Sequence, residues 1–533
     1  MSNIDHDSDL LEATIPDIHL RYGRSELTPL ELVEFYLERV RDHDLDASCG
    51  APFNSIVSIC PLVREHAREV GCEIASGGVS KPLHGIPIWI KDCIDVEGLP
   101  TSCGCLSLAN EASVRDAELV RRLRAAGALI MGKAGMTELG RSVIGYSSLS
   151  TRVGNAYDSS SQPGGSSNGC AVATALNFGM GAIGVDDLAS VTWPSALNNL
   201  AGLRPTVGAI SRDGVFGYSK TDTSPGPMTR TVGDLSRLLD VLVDGSTDAN
   251  HRPVQLAECR LGVLDSIGDL ELDVRTPDSM ASEFDLSLNE LEAAGATVVR
   301  GIRLDGFDRI RRSQYDYHNS LVRSLRRRSR SPRTPYELLH APGTGPLCRK
   351  VPSIQRWKLT FQIPDIKRLR YAPQIRRNQS LLNSVMAKAN VDALIAPTIV
   401  GLSWLSTLAS VPHVTVPGGF RRIPSADLVP DLTEGSDLPW GISLVGPSES
   451  DRVLLGIASE LESLFNARRL PATSVPAPSD RPPMDIRAFN TWRIELAEQL
   501  FGSLVSDGGE RYAHPTPDEF RALIQPHLAR RVH

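Results

Sequence analysis

The chain is poor in cysteine, in aromatic residues and in long apolar runs, and it carries no excess of positive charge. Nine cysteines in 533 residues are an odd number, too thinly spread to staple a disulfide scaffold. Cys103-Gly-Cys105 is the one close pair and no paired C-x2-C set occurs, so the spacing of a structural zinc site is missing. No stretch reaches the roughly 18 apolar residues that a membrane span needs. The start, Met1 to Asp9, is acidic and polar rather than the basic and then apolar opening of a secretory signal. Acidic residues outnumber basic ones, 63 to 56, for a net charge of −7. A nucleic-acid or anionic-membrane role needs a positive field that this balance does not supply. These absences leave a large soluble protein of a reducing, cytoplasmic compartment, an enzyme by default, as the expectation.

What is present is an aliphatic chain with many turns: 44 Gly, 36 Pro and 5% aromatic residues. At about 150 residues per domain, the length alone allows three or four domain-equivalents. Thr28-Pro-Leu-Glu31 reads as a capping box that opens a helix, with Leu32, Phe35, Tyr36 and Val40 at helical spacing. Gly85 to Ile90 is a short β-rich apolar run, the mark of a buried strand. Asp116 to Ala126 reads as a helix stopped by Gly127, and Ala128 to Met131 as the next strand. Leu381 to Ala389 followed by Asp392 to Pro397 repeats the pattern. This alternation predicts an α/β architecture with helices on a parallel or mixed sheet. Five prolines between Pro471 and Pro483 predict a linker, at about 471–484. Beyond it, Phe489, Trp492, Leu496, Leu500 and Leu504 mark an amphipathic helix, and Thr516-Pro-Asp-Glu519 caps a shorter one. The run Arg323 to Arg333 holds six arginines and no acid, and reads as a solvated helix face and loop.

Three readings compete for Gln162-Pro-Gly-Gly-Ser-Ser-Asn-Gly-Cys170, a glycine- and serine-rich loop feeding the apolar helical stretch Ala171 to Ala175. Phosphate cradling is one, but the G-K-[ST] of a Walker loop is missing. A nucleophile elbow, Gly165-Ser-Ser-Asn-Gly169, is the second. That motif follows a buried strand directly, and Asp158 to Gly165 is polar and contains proline. The third joins distant pieces. Lys91 ends the apolar run after Gly85, and Ser190 lies in a second turn, 24 residues after Ser166. Burial disfavours the ammonium form, and a neutral lysine can draw a proton from a serine hydroxyl without histidine or metal. Taken singly, Lys91 is better read as a strand-end lysine reaching water, and Ser190 alone carries still less.

Together these pieces resemble the amidase signature family of serine hydrolases over about residues 28 to 465. The segments that carry the resemblance run in order along the chain. They are Gly85 to Asp92, Asp95 to Thr101, Val120 to Gly127, Met131 to Glu138, Asn155 to Asp158, Pro163 to Ser167, Ala201 to Thr206, Gly226 to Val232, Asp392 to Thr398, Val411 to Pro417 and Leu438 to Gly446. The resemblance implies a single large α/β domain (28–470) with a large mixed sheet flanked by helices on both faces. An N-terminal segment (1–27) precedes it and a helical tail (485–533) follows. It also implies a Ser–cis-Ser–Lys triad: Lys91 as base, Ser166 as the bridging serine after a cis peptide, and Ser190 as nucleophile. The oxyanion hole would be the main-chain N–H groups of Asp187, Leu188, Ala189 and Ser190, with Gly165 and Ser167 against the substrate. No metal and no cofactor enter this scheme.

The sequence departs from the family around the nucleophile. The usual Gly-Thr-Asp-x-Gly-Gly-Ser, with arginine two residues later, is here Gly184-Val-Asp-Asp-Leu-Ala-Ser190 followed by Thr192. Leu188 stands where glycine is usual, and a leucine resists positive φ. Asn168 likewise replaces a glycine. The implied activity is hydrolysis of a small carboxylic amide or ester through a Ser190 acyl-enzyme. Two alternatives use the same residues: a weak or inactive homologue that binds a small molecule or a protein, and an acyltransferase passing the acyl group to an amine or alcohol. A glutamine-dependent tRNA amidotransferase component fits less well. A homodimer is an expectation of the resemblance alone. Tyr315, Tyr317 and Leu321 are candidates for the pocket wall.

Overall fold

A computed structural model describes residues 8–44, 52–143, 145–219, 222–243, 254–271, 278–309, 314–341, 344, 372–399, 401–422, 437–472 and 483–506. Its strands, in chain order, are β1 (Ile56–Ile59), β2 (Pro87–Lys91), β3 (Leu129–Ala134), β4 (Tyr146–Ser147), β5 (Thr151–Arg152), β6 (Gly181–Asp186), β7 (Ala201–Arg204) and β8 (Ser224–Thr229). They continue as β9 (Arg260–Ile267), β10 (Leu270–Glu271), β11 (Thr297–Leu304), β12 (Ala393–Pro397), β13 (His413–Arg422) and β14 (Asp437–Val445). Twelve of these strands form one sheet in the order β1-β3-β2-β6-β8-β7-β13-β14-β12-β9-β10, with β11 beside β9, while β4 and β5 make a separate pair. The sheet is mixed. β2 runs parallel to β3 and β6, and β9 runs parallel to β11 and β12. The β6–β8, β7–β8 and β13–β14 pairs are antiparallel.

The central strands β2, β3, β6 and β12 are buried along their whole length, as the short apolar runs predict for β2, β3 and β12. Parallel neighbours end at the same edge of a sheet. In the β2–β6 pairing Ile90 lies opposite Ile183, so Lys91, the last residue of β2, comes level with Gly184, just before the end of β6 at Asp186. The helix Asn168–Ala175 leads into β6, and all eight of its residues are buried. Its small side chains permit that depth. A Cβ on Gly169 would stand 2.4 Å from both the Gly135 nitrogen and the Ser55 oxygen, so only glycine fits there.

The capping box at Thr28 and Glu31 forms as the sequence predicts, opening the helix Pro29–Arg39. An earlier helix, Ile15–Gly23, was not expected from the sequence. It has its own capping box (Thr14 with Asp17), and it buries Ile15, Ile18 and Tyr22. The tail helix Ile486–Ser506 docks at the β1 end of the sheet, where Asn490 accepts from the Ile59 N–H (2.8 Å) and donates to the Ile59 carbonyl (2.8 Å). Most of the linker and the second tail helix lie outside the described residues. The arginine run is solvated at five of its six positions. Arg328 instead turns inward and donates to the Leu108 carbonyl (3.2 Å) and Asn110 Oδ1 (2.6 Å). Among the described residues no helix is long and apolar enough to cross a membrane, and no His, Cys, Asp or Glu group is arranged to hold a metal.

Candidate active site

Lys91, Ser166 and Ser190 come together at the β2–β6 edge. Lys91 Nζ lies 2.9 Å from Ser166 Oγ, and Ser166 Oγ lies 3.0 Å from Ser190 Oγ. Lys91 Nζ also donates to the Val185 carbonyl at 3.0 Å. The peptide between Gly165 and Ser166 is cis. No strand leads directly into this loop, which removes the nucleophile-elbow reading of Gly165 to Gly169.

Two lysines are fully buried here, and their surroundings assign them different work. Lys133, on β3, makes a 3.6 Å ion pair with Asp92 and donates to the Pro100 carbonyl at 3.1 Å. Lys91 has no carboxylate within ion-pair distance among the described residues. Burial pushes its ammonium below the ordinary lysine value, and the Cys93 and Cys170 sulfurs and Asp186 oppose this only in part. The Tyr218 ring, 5.9 Å from Nζ, closes one side. A lysine so placed can hold or release a proton along two hydroxyls. When it is charged, donors run from Lys91 to Ser166 to Ser190; when it is neutral, the same two distances carry the protons back.

The turn after β6 is anchored on both flanks. Asp186 accepts from the Val191 N–H at 2.7 Å, and Arg204 reaches both its carboxylate (3.3 Å) and its carbonyl (3.0 Å). The Asp187 carboxylate accepts from Arg141 (2.7 Å) and Thr223 (3.0 Å), and its carbonyl accepts from Thr407 (3.1 Å). The Ala189 carbonyl accepts from the Trp193 N–H at 3.0 Å. In a trans peptide the N–H points opposite to the C=O. With the Asp187 and Ala189 carbonyls spent on the protein behind them, the N–H groups of Leu188 and Ser190 face the other way. Among the described residues neither these two nor the Ala189 N–H meets an internal acceptor. The positive φ falls on Ala189 (68°) and not on Leu188, so the leucine is accommodated without left-handed backbone. Asn168, in another of the family's glycine positions, donates to Thr137 Oγ1 at 3.3 Å.

Ser167 is fully buried, and its hydroxyl lies against the backbone of Val185, 3.3 Å from the nitrogen and 3.5 Å from the oxygen. It ties the serine loop to β6. Gly165 sits so close to Thr137 that a Cβ would stand 2.7 Å from its hydroxyl. Tyr317 and Leu321 are buried, and Tyr317 Oη donates to the Leu139 carbonyl at 3.0 Å; the side chain of Tyr315 lies outside those described. Beside the turn, Ala189, Trp193 and Leu197 form a small apolar cluster with Val143. Arg141, Thr223, Thr407 and Tyr218 were not expected at the site from the sequence. Only Arg204 carried a signal, inside the matched segment Ala201 to Thr206.

Residues 31–455 match the model of the family named Amidase, and the chain belongs to that family. It is 28% identical to the mandelamide hydrolase of Pseudomonas putida over 495 residues, which covers 87% of this chain and 94% of that one. It is also 28% identical to a glutamyl-tRNA(Gln) amidotransferase chain of Deinococcus deserti, over 82% of this chain and 94% of that one. Among solved structures, the native peptide amidase of Stenotrophomonas maltophilia superposes with a TM-score of 0.70 at 26% identity, covering 87% of this chain and 99% of that one. Membership in this family makes the chain an amide-hydrolysing enzyme; the inactive-homologue and acyltransferase readings are not favoured.

Proposed function

We propose that this enzyme hydrolyses linear carboxylic amides outside peptide bonds through a Ser190 acyl-enzyme. The observation that carries the reading is the unbroken chain from buried Lys91 Nζ through Ser166 Oγ to Ser190 Oγ, at 2.9 and 3.0 Å. Neutral Lys91 takes the Ser166 proton while Ser166 takes the Ser190 proton, and Ser190 Oγ attacks the amide carbon. The carbonyl oxygen gains the negative charge. The oxyanion hole is the set of N–H groups from Asp187 to Ser190, of which those of Leu188, Ala189 and Ser190 have no internal acceptor among the described residues. One such donor is typically worth about 10²–10³ in rate. The relay returns its proton to the leaving amine, and water then releases the acid. Gly165 and Ser167 complete the substrate side of the loop in this reading, with Ser167 tying the loop to the nucleophile by donating its N–H to the Ser190 carbonyl at 3.2 Å. The similarity to a mandelamide hydrolase over most of both chains supports a small non-peptide amide. The free thiols of the described cysteines support a cytoplasmic setting.

A fluorophosphonate reagent, which phosphonylates nucleophilic serines, tests this directly. Wild type is expected to label with loss of amidase activity, and Ser190→Ala is expected to remain unlabelled. Equal labelling of both proteins would overturn the assignment.

A further inference from the structure

One buried ion pair beside the relay has no part in the proton transfers. Arg141 Nη2 lies 2.7 Å from Asp187 Oδ2, and each side chain is only 5% exposed. The guanidinium also donates through Nε to the Leu139 carbonyl (3.3 Å) and lies 3.7 Å from the Tyr317 ring centroid. Tyr317 in turn donates to that same Leu139 carbonyl at 3.0 Å. Arg141 is thus locked in place by stacking and by backbone before it meets Asp187.

We propose that Arg141 is a positioning residue for the oxyanion hole, acting through Asp187; this rests on the amidase reading of Ser190. Asp187 is the last residue of the turn whose side chain is pinned. After it come Leu188, which is half-buried, and Ala189, whose side chain has no polar group. The Asp187–Leu188 peptide plane has two handles. Thr407 holds its carbonyl at 3.1 Å, while Arg141 and Thr223 hold the adjoining carboxylate at 2.7 and 3.0 Å. Together they fix the direction of the Leu188 N–H, which points opposite to the held carbonyl. Asp186, held by Arg204, ties the strand end to the Val191 N–H beyond the turn, so it fixes the two flanks and leaves the Asp187–Leu188 peptide to this clamp. Burying a guanidinium–carboxylate pair carries a hydration penalty, and an apolar pair often serves packing as well. The stacked, hydrogen-bonded geometry is what an apolar pair would not reproduce.

The test separates chemistry from binding and from folding. Fluorophosphonate labelling of Ser190 is measured as a maximal rate and a half-saturating reagent concentration in wild type, Arg141→Met, Arg141→Lys and Thr407→Val, with thermal unfolding of each. Arg141→Met and Thr407→Val are expected to lose about tenfold to a hundredfold in maximal rate, since small displacements of donor groups cost that much. The half-saturating concentration should hardly change, and Arg141→Lys should recover part of the loss. Wild-type maximal rates in folded Arg141→Met would overturn the proposal. If Arg141→Met does not fold, Thr407→Val decides, and a wild-type rate there overturns it. Failure of wild type to label at Ser190 would instead overturn the amidase reading itself, a result distinct from either.

Discussion

Replacing Lys91 by methionine removes the relay's end while keeping most of its volume. The amine makes two hydrogen bonds, to Ser166 Oγ and to the Val185 carbonyl. Each is worth about 0.5–1.5 kcal/mol net, so their loss costs roughly 1–3 kcal/mol. Against this stands the hydration cost of a fully buried ammonium, several kcal/mol, which methionine does not bear. The Val185 carbonyl also keeps Ser167 Oγ within 3.5 Å. The two sides nearly cancel, so Lys91→Met should fold, with stability within about 2 kcal/mol of wild type. Its chemistry should fall by about 10²–10⁴, the usual worth of a positioned base. Labelling of Ser190 followed from neutral to alkaline pH adds a second readout, because burial lowers the pKa of Lys91. In wild type the rate rises with pH as Lys91 loses its proton, and burial places that rise below the ordinary lysine range. In Lys91→Met the rise through that range disappears. A folded Lys91→Met protein that labels within about threefold of wild type, with the same pH curve, would refute the reasoning.

His413 and Gly169 give two stability tests. His413 is fully buried, with its pKa pushed down to about 3 from 6.5 by burial and by the charge of Arg204. The unfolded chain therefore takes up a proton there that the folded chain refuses. Stability contributed by the neutral ring is present above about pH 6.5 and is lost as pH falls toward 3, at up to about 1.4 kcal/mol per pH unit. Urea unfolding at stepped pH should show a shallower acid slope in His413→Gln, and an unchanged slope would count against it. Gly169→Ala places a methyl 2.4 Å from two backbone atoms and should cost about 1–3 kcal/mol or more, lowering the melting temperature without changing the pH profile of labelling.

Much of the candidate site was legible through the ordered family resemblance, because taken singly neither a strand-end lysine nor a serine in a turn marks a site. Lys91 closes an apolar strand, Ser166 sits in a Gly-Gly-Ser-Ser loop, and Ser190 follows a second strand at fixed spacing. The hydrogen bonds between them needed the β2–β6 pairing, which no local pattern specifies. Arg141, Thr223 and Thr407 were invisible for the same reason: each reaches Asp187 from a separate part of the chain, and an isolated arginine or threonine has no periodicity to betray it. Leu188 shows the opposite failure. A leucine in a glycine position suggests strain at that residue, but the left-handed conformation falls on Ala189 instead. The missed helix Ile15–Gly23 had its signals in plain view, Thr14, Pro16 and Asp17. Its apolar stripe, on a helix of only nine residues, is too short to stand out by periodicity.

The docking of Asn490 on Ile59 has a consequence for how the protein behaves in company. β1 is the end strand of the large sheet, and an end strand presents unpaired N–H and C=O groups on which another chain can add a strand. The Asn490 side chain meets both the N–H and the carbonyl of Ile59 as a neighbouring strand would, yet it comes from a helix and so offers nothing for a further strand to join. The tail thereby works as a stopper at the sheet's open end. A chain cut before residue 486 would keep Lys91, Ser166 and Ser190 but bare that edge, and its first symptom would be concentration-dependent self-association rather than loss of chemistry.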